Sequence, residues 1–244
     1  MPLTGKQLQA RDAKRDLGAE LLAAVREMKA GRGAVVGRFP TLTKKTSDAT
    51  AKPAPRVIVF AGPNGAGKST HADAILAKLG IETFVNADYI ARGLSGRNTD
   101  AVAFEAGRIM LTRLKDLAAA KHDFAFESTL SSRSFAPFLR QLKAQGYEVA
   151  IYYFSLANAS LAVRRVKLRV AMGGHDVPED TIRRRFSRSL HNFHSLYVPL
   201  ADQWVLFDNT VTTKATLLAT QQGDNLQIKE PKLWLKLQNL IKTA

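Results

Sequence analysis

A segment of nine residues, Gly62–Thr70, constrains the fold of this chain more than any other part of its sequence. Its letters, GPNGAGKST, match the phosphate-binding pattern G-x-x-x-x-G-K-S/T at every fixed position. An apolar run, RVIVFA, precedes the segment, and a helical pattern, HADAILAKL, follows it. Because a strand, a glycine-rich loop and a helix in this order form a P-loop, the sequence predicts an α/β nucleotide-binding fold.

Each residue type in this loop has a physical role in holding a phosphate chain. Glycines let backbone N–H groups curve around phosphate oxygens, and the positive end of the next helix faces the anion. Lys68 is expected to contact the β- and γ-phosphates, and the Ser69 hydroxyl to bind Mg²⁺. We therefore predict ATP and Mg²⁺ as cofactors and the following nucleotide-binding residues: Gly62, Pro63, Asn64, Gly65, Ala66, Gly67, Lys68, Ser69, Thr70 and, after a later strand, Asn209.

The composition is that of a folded protein with one main domain. The chain has 244 residues, 45% of them hydrophobic and 23% charged, and it contains no cysteine. Disulfides, cysteine–zinc sites and cysteine nucleophiles are thereby excluded. No apolar run approaches the length of about 18 residues that a membrane helix needs, and the N-terminus lacks a signal-peptide core, so we expect a cytoplasmic protein without a membrane partner. A net charge of +15 favours polyanionic partners.

Strand and helix patterns alternate through the middle of the chain. We predict strands at Val57–Ala61, Glu82–Val85, Phe124–Glu127, Val149–Phe154 and Trp204–Phe207, and helices at Lys68–Leu79, Asp100–Ala120, Phe135–Ala144, Ala157–Ala171 and Pro178–Leu196. Strands that alternate with helices form a parallel sheet covered on both faces. The sequence therefore predicts a three-layer P-loop NTPase core over residues 56–210, built on a parallel five-stranded sheet.

The two ends of the chain differ from this core. Residues 1–36 have the apolar spacing of a helix and many basic side chains, and residues 37–55 have the composition of a linker. The N-terminal helical extension is either a solvated tether or a docking arm. In residues 211–244 we predict an edge strand near Leu226–Ile228 and a closing helix over Pro231–Ile241.

Polar side chains follow the predicted strands at the edge of the sheet where ligands bind. Asp88 comes 20 residues after Lys68, where a carboxylate could accept the proton of an attacking hydroxyl or cap the next helix. Glu127 ends an apolar strand and is a Mg²⁺-water ligand, a substrate hydrogen-bond acceptor or a solvent-facing acid. Thr129 could donate to the same substrate or cap a helix. Because ABC-type and GTPase motifs are missing from the strand ends, this layout favours a small-molecule kinase.

A basic segment with a Gly-Gly hinge, residues 164–188, is predicted to form a lid. A guanidinium binds phosphate oxygens bidentately and stays charged, so a mobile arginine can meet the charge that develops during phosphoryl transfer. Arg183 and Arg185 flank the apolar stripe of the second lid helix and could face inward. Arg184 and Arg188 lie opposite that stripe. Since no aromatic-rich surface accompanies these arginines, we do not expect nucleic acid as the partner.

With these residues assembled, the core resembles the zeta-toxin family of P-loop kinases over about Arg56 to Thr210. The likeness rests on GPNGAGKST, on NADYIA, on FESTL, and on RVAMGGHDVPEDTIRRRF followed by SLHNF. The resemblance implies a nucleoside-kinase-like fold. It also implies transfer of the γ-phosphate of ATP-Mg²⁺ to the sugar hydroxyl of UDP-N-acetylglucosamine, and restraint by an antitoxin protein.

The chain departs from that family at two positions. Ser131 stands where the family has an arginine, with Arg133 nearby. His175 stands in place of the second lid arginine, for which Arg183 or Arg185 are candidate substitutes. We therefore count Arg133, His175 and Arg185 among the candidate substrate-binding residues. The resemblance further implies that Lys68 and Ser69 form the P-loop pair, Asp88 is the catalytic base, Glu127 and Thr129 form the E-x-T substrate element, and Arg169 is the first lid arginine.

Because toxin kinases need restraint, we hypothesise that residues 1–36 fold back as a self-inhibiting arm or bind a partner. Two other functional classes remain open. One is a nucleotide-dependent switch or nucleic-acid-binding ATPase, which would bind RNA or DNA with a steep salt dependence. The other is an inactive P-loop module for protein interaction, which would fail to bind ATP-Mg²⁺.

Overall fold

One mixed sheet runs through the described part of the chain, which comprises residues 53–95, 101–211 and 215–243 of a computed structural model. Its strands are β1 (Arg56–Ala61), β2 (Phe84–Val85), β3 (Phe124–Ser128), β4 (Glu148–Ser155), β5 (Gln203–Asp208), β6 (Thr216–Gln222) and β7 (Asn225–Ile228). Their order across the sheet is β2-β3-β1-β4-β5-β6-β7. The first five strands pair in parallel, whereas β6 pairs with β5, and β7 with β6, in antiparallel fashion.

The prediction of a parallel five-stranded sheet is wrong, because the sheet has seven strands and is mixed. The edge strand predicted near Leu226–Ile228 is present as β7. Sequence analysis missed β6, where TLLATQQ places apolar residues side by side instead of in alternation. Gly223, with a φ of 55°, lies in the two-residue turn that joins β6 to β7. This hairpin covers the edge that β5 would otherwise expose.

Seven α-helices flank the sheet within the described residues. They are α1 (Lys68–Leu79), α2 (Ala87–Leu94), α3 (Ala103–Ala119), α4 (Phe135–Ala144), α5 (Ala159–Ala171), α6 (Glu179–Asn192) and α7 (Pro231–Thr243). A π-helical turn, Phe193–Tyr197, continues α6. The predicted bounds of α1 and α4 agree with the structure at both ends. The helix predicted to begin at Asp100 begins at Ala103 instead.

The two faces of the sheet carry separate parts of the hydrophobic core. Successive residues of a strand point to opposite faces, so Val59 joins the core beneath α3 and α4, whereas Phe60 joins the core beneath α1 and α5. All of β1 is buried, as expected for a central strand that is covered on both faces. Helix α6 contributes Phe186 to the core beneath α1 and α5, and Leu190 to the core beneath α3 and α4. It therefore crosses the edge of the sheet.

The predicted N-terminal extension, residues 1–36, and most of the predicted linker, residues 37–55, lie outside the described residues. No helix within the described ranges combines the length and the apolar character needed to cross a bilayer. The carboxyl ends of the parallel strands meet at one edge of the sheet, as the alternating pattern predicts. The P-loop leaves β1 at this edge, so the edge is where a candidate site is to be sought.

Candidate active site

The P-loop between β1 and α1 has a conformation that requires glycine. Gly62, Gly65 and Gly67 have φ values of 136°, 74° and 78°, which residues with a Cβ atom rarely adopt. A Cβ atom at Gly62 would meet the Phe154 carbonyl oxygen, so the loop packs directly on the backbone of β4. Because α1 begins at Lys68, the positive end of that helix faces the space that the loop encloses.

Asn209 supports the P-loop from the end of β5. It is buried, and its Nδ2 donates a hydrogen bond of 2.8 Å to the Ala66 carbonyl oxygen. The same Nδ2 would lie 2.5 Å from a Cβ atom at Gly67, which again demands glycine there. The structure therefore places Asn209, a predicted nucleotide-binding residue, against the backbone of the P-loop, where its amide donates to the loop.

Arg165 on α5 is a second support, and sequence analysis did not single it out. Its guanidinium donates to the Gly65 carbonyl oxygen at 3.3 Å and to the Thr210 carbonyl oxygen at 3.1 Å. Burial lowers the pKa of Arg165, and the nearby Asp208 carboxylate opposes that shift. No local signal separates this arginine from its neighbours in the basic segment, because its partners come from the P-loop and from the segment that follows β5.

The Glu127 carboxylate joins three elements at the end of β3. Its Oε2 accepts hydrogen bonds from Ser69 Oγ at 2.6 Å and from Asn86 Nδ2 at 2.9 Å. Its Oε1 lies 3.4 Å from Lys68 Nζ, which also donates to the Pro63 carbonyl oxygen at 3.0 Å. The solvent-facing alternative for Glu127 is thereby wrong, since its side chain is 14% exposed and fully engaged with the P-loop lysine and serine.

Asn86 fixes the start of α2 and was not among the predicted site residues. It is buried, and its Oδ1 accepts a hydrogen bond of 2.8 Å from the Asp88 backbone N–H while its Nδ2 contacts Glu127. Asn86 is therefore the N-cap of α2, and Asp88 lies in the first turn of that helix. The capping alternative for Asp88 is wrong for this reason.

A cavity of about 450 Å³ opens at the carboxyl edge of the sheet. It brings residues from the P-loop, α2, β3, α5 and α6 into one space. Two cationic side chains from the predicted lid thus share a cavity with the candidate base and the P-loop lysine. Of the predicted site residues, the following line it: Asn64, Gly65, Lys68, Asp88, Glu127, Thr129, Arg169 and Arg185.

The structure does not bring Arg133 or His175 into this cavity. Arg133 is exposed at the turn that leads into α4, where its carbonyl oxygen accepts from the Ala136 N–H. His175 contributes its backbone, because its carbonyl oxygen accepts a hydrogen bond of 2.7 Å from Arg169. Arg183 pairs with Glu179 at 2.7 Å along the outer face of α6. Of the candidate substitutes for the second lid arginine, Arg185 is thus the one that lines the cavity.

Arg169 is folded under the hinge of the lid. A Cβ atom at Gly174 would lie 2.5 Å from Arg169 Cγ, so the hinge packs closely on this side chain. Arg169 Nε is buried and has no hydrogen-bond partner among the described residues. A buried donor without an acceptor is costly in a folded protein. An anion in the adjoining cavity would satisfy this donor.

Helix α3 forms a wall of the cavity that sequence analysis missed. Phe104, Arg108 and Leu111 all line the cavity and share one helix face. Phe104 is 82% exposed and Leu111 is 47% exposed, so these apolar side chains face the open space rather than the core. The spacing of the three residues indicates a common face. Only the tertiary structure shows that, within the described ranges, no core residue covers it.

A protein-family model described as an AAA domain, AAA_33, matches residues 57–194, which run from β1 into the π-helical turn after α6. The chain belongs to the AAA_33 family. A relative of this chain, an uncharacterized protein of Haemophilus influenzae, is 30% identical over 136 residues. The similarity covers 54% of this chain and 92% of that protein. The AAA_33 match thus contains every cavity-lining residue that sequence analysis had predicted.

Two solved structures with a similar fold are identical to this AAA_33 chain at only 16% and 15% of positions. The AvrRxo1-ORF1:-ORF2 complex with ATP has a TM-score of 0.61, and the alignment covers 92% of this chain and 72% of that one. The PezAT chromosomal toxin-antitoxin system of Streptococcus pneumoniae has a TM-score of 0.55, with 94% and 89% covered. These likenesses show that this chain has the same α/β P-loop fold as those two structures.

Proposed function

We propose that this chain is a cytoplasmic kinase that transfers the γ-phosphoryl group of ATP to a hydroxyl group of a small molecule. The observation that carries the proposal is that Asp88 shares one cavity with Lys68 of the P-loop and with two lid arginines, Arg169 and Arg185. A carboxylate in this position can accept the proton of an attacking hydroxyl. Cations across the same space can face the charge on the group in transfer.

The donor would lie along the P-loop. Backbone N–H groups of the loop and the Lys68 ammonium bind phosphate oxygens. Asn209 and Arg165 hold the loop in place by donating hydrogen bonds to carbonyl groups of the loop. The oxygen atoms of Ser69 and Glu127 fit Mg²⁺, which prefers oxygen ligands and retains phosphate and water ligands. When bound, Mg²⁺ supplies positive charge to the β- and γ-phosphates.

The acceptor that we propose first is UDP-N-acetylglucosamine or another nucleotide-linked sugar. The motifs shared with the zeta-toxin family support this choice, and so does the α3 wall of the cavity. Phe104 and Leu111 offer an exposed apolar surface to a planar base, and Arg108 between them offers a positive charge to a diphosphate. Asp88 and Thr129, which line the same cavity, are left to contact the sugar hydroxyl.

We also propose that residues 1–36 or an antitoxin-like partner restrains this activity. The support is that AvrRxo1-ORF1:-ORF2 and PezAT, which have the same fold, are a two-component complex and a toxin-antitoxin system. A variant lacking residues 1–50 should then differ from the full chain in transfer rate or in its effect on cell growth. If neither changes, the N-terminal extension has no restraining role.

The experiment that tests the proposal is transfer of labelled γ-phosphate from ATP to a panel of UDP-sugars, nucleosides and NAD. We expect labelled UDP-N-acetylglucosamine with the wild type. In Asp88→Asn we expect a loss of about 10²- to 10⁴-fold in kcat, because the general base is removed. Binding of ATP should be nearly unchanged in this variant. Asp116→Asn, at an exposed carboxylate of α3 outside the cavity, is the matched control.

Two results would contradict the proposal. Transfer at the wild-type rate in Asp88→Asn would remove the role of Asp88 as base. Label released only as free phosphate, with no acceptor modified, would favour a nucleotide-dependent switch or a nucleic-acid-binding ATPase.

A further inference from the structure

The last residue of β3 and the loop that follows it, residues 128–134, contribute a third side of the cavity and are together called the acceptor loop below. Ser128, Thr129 and Ser134 from this loop line the cavity. Leu130 between them is fully buried and has a φ of 52°, in the left-handed region. A residue with a Cβ atom costs about 1–2 kcal/mol in this region, so neighbouring contacts must hold the loop in this shape.

Those contacts come from α6 and the π-helical turn after it. Ser189 Oγ donates a short hydrogen bond to the Thr129 carbonyl oxygen. One turn later, Asn192 Nδ2 donates to the Leu130 carbonyl oxygen at 3.0 Å. Tyr197 then donates from its hydroxyl to the Ser132 carbonyl oxygen at 2.6 Å. Three carbonyl groups of the acceptor loop are therefore tied to one continuous helical segment, which we call the α6 clamp (Ser189, Asn192 and Tyr197).

Ser189 has a second partner behind it. Its Oγ lies 2.8 Å from the hydroxyl of Tyr153, and both side chains are fully buried. A serine hydroxyl has one hydrogen to donate, and the Thr129 carbonyl oxygen can only accept. The hydroxyl of Tyr153 must therefore donate to Ser189. Burial raises the pKa of Tyr153, which keeps that hydroxyl protonated. The result is a directed chain of hydrogen bonds from β4 through α6 to the loop.

The same helix carries a cation of the candidate site. Arg185 lies one turn before Ser189 on α6 and lines the cavity, while Ser189 reaches the loop that bears Thr129. A single rigid element thus sets the distance between the lid arginine and the acceptor loop. An apolar residue at position 189 would fill this buried space without a desolvation cost, but it would leave the Thr129 carbonyl without this donor.

We propose that Ser189, oriented by Tyr153, is a positioning residue that holds the acceptor loop against the cavity for phosphoryl transfer. This inference rests on the proposed kinase function. Ser189 acts on the acceptor side, through Thr129 and the loop backbone. The donor side, where the P-loop is held by Asn209 and Arg165, does not depend on it. The two sides of the reaction should therefore respond differently when the α6 clamp is weakened.

The test uses the full chain, with Ser189→Ala and Tyr153→Phe as variants. Tyr153→Phe keeps the ring that stacks on Phe193 and removes only the hydroxyl, so it remains informative if Ser189→Ala does not fold. Tyr147→Phe is the matched control. Tyr147 is also buried and donates to a loop carbonyl oxygen, that of His122 at 2.9 Å, but at the opposite edge of the sheet.

We expect the KM for the acceptor, UDP-N-acetylglucosamine or whichever panel compound is labelled, to rise about 5- to 10-fold in both variants, the effect of one lost buried hydrogen bond. The KM for ATP should stay at the wild-type value. Hydrogen exchange in residues 128–134 should become faster. Tyr147→Phe should change neither the acceptor KM nor the exchange of the acceptor loop.

Equal changes in both KM values, or wild-type exchange of the acceptor loop in Ser189→Ala and Tyr153→Phe, would overturn the positioning role. Failure of the proposed function looks different, because the wild type would then label no acceptor. Hydrogen exchange of the loop decides in that case whether Ser189 holds it, since that measurement needs no reaction.

Discussion

Ser69 Oγ lies 2.6 Å from Glu127 Oε2, and this hydrogen bond joins the first turn of α1 to the end of β3. The same carboxylate contacts Asn86, which caps the helix that bears Asp88. The Glu127 side chain thus contacts both Ser69, a candidate metal ligand, and the N-cap of the helix that bears Asp88, the candidate base. A substitution at Glu127 should therefore be visible first in the metal dependence of the reaction.

Glu127→Gln keeps the size of the side chain and removes its charge. We expect the Mg²⁺ concentration for half-maximal transfer to rise about 10- to 100-fold, the usual cost of losing a group that supports a metal site. Titration of Mg²⁺ at fixed ATP measures this, with Glu105→Gln, exposed on α3, as the control. If the Mg²⁺ dependence is unchanged while the acceptor KM rises, Glu127 binds the acceptor rather than the metal.

Arg185 and Arg184 are neighbours on α6 with different surroundings. Arg185 lines the cavity, and Arg184 is exposed. Arg185→Gln should lower kcat about a hundredfold, because a preorganised cation facing the transferring group is lost. Arg184→Gln should leave kcat within about twofold of the wild type, as is usual for a solvated surface charge. Steady-state kinetics of the two variants checks this, and equal effects would contradict the assignment of Arg185 to the site.

Gly62→Ala tests the conformation of the P-loop. The new Cβ atom would meet the Phe154 carbonyl oxygen at a φ of 136°, so we expect the free energy of unfolding to fall by about 2 kcal/mol or more. Gly93→Ala is the matched control, since no atom lies within 4 Å of its Cβ position in α2, and it should raise stability by up to about 1 kcal/mol. Urea denaturation measures both. Equal stability of the two variants would mean that the loop readily adopts another shape.

His71 should make the stability of the fold depend on pH. Burial against Phe154 lowers the pKa of His71 below 6.5, and the nearby Asn209 side chain only partly opposes this shift. Below pH 6.5 the unfolded chain therefore binds a proton at His71 more readily than the folded chain does. The resulting loss of stability is absent above that pH and grows as the pH falls toward the pKa of His71 in the folded chain.

Thermal unfolding at about pH 7.5 and about pH 5.5 measures this effect. The wild type should lose more stability over this interval than His71→Gln, which cannot titrate. His191→Gln, on an exposed part of α6, is the control and should follow the wild type. An identical loss in wild type and His71→Gln would exclude His71 as the cause.

Local sequence patterns predicted the elements that build the nucleotide side of the site. The glycine spacing of Gly62–Thr70 required a loop between strand and helix, and the structure has that loop with three left-handed glycines. Hydrophobic periodicity located α1 and α4 at their bounds. It did not locate β6, because adjacent apolar residues suit a strand or a helix equally until β5 and β7 are in place.

Sequence by itself determined which chemical groups are available: the P-loop, Lys68, and acids at the strand ends. Only the tertiary structure decided which of them meet. Arg185 reaches the cavity and Arg133 does not, Asn86 rather than Asp88 caps α2, and Ser189 ties α6 to the acceptor loop. The physical reason is that these outcomes depend on contacts between residues far apart in the chain. Such contacts exist only after the sheet has brought the ends of its strands to one edge.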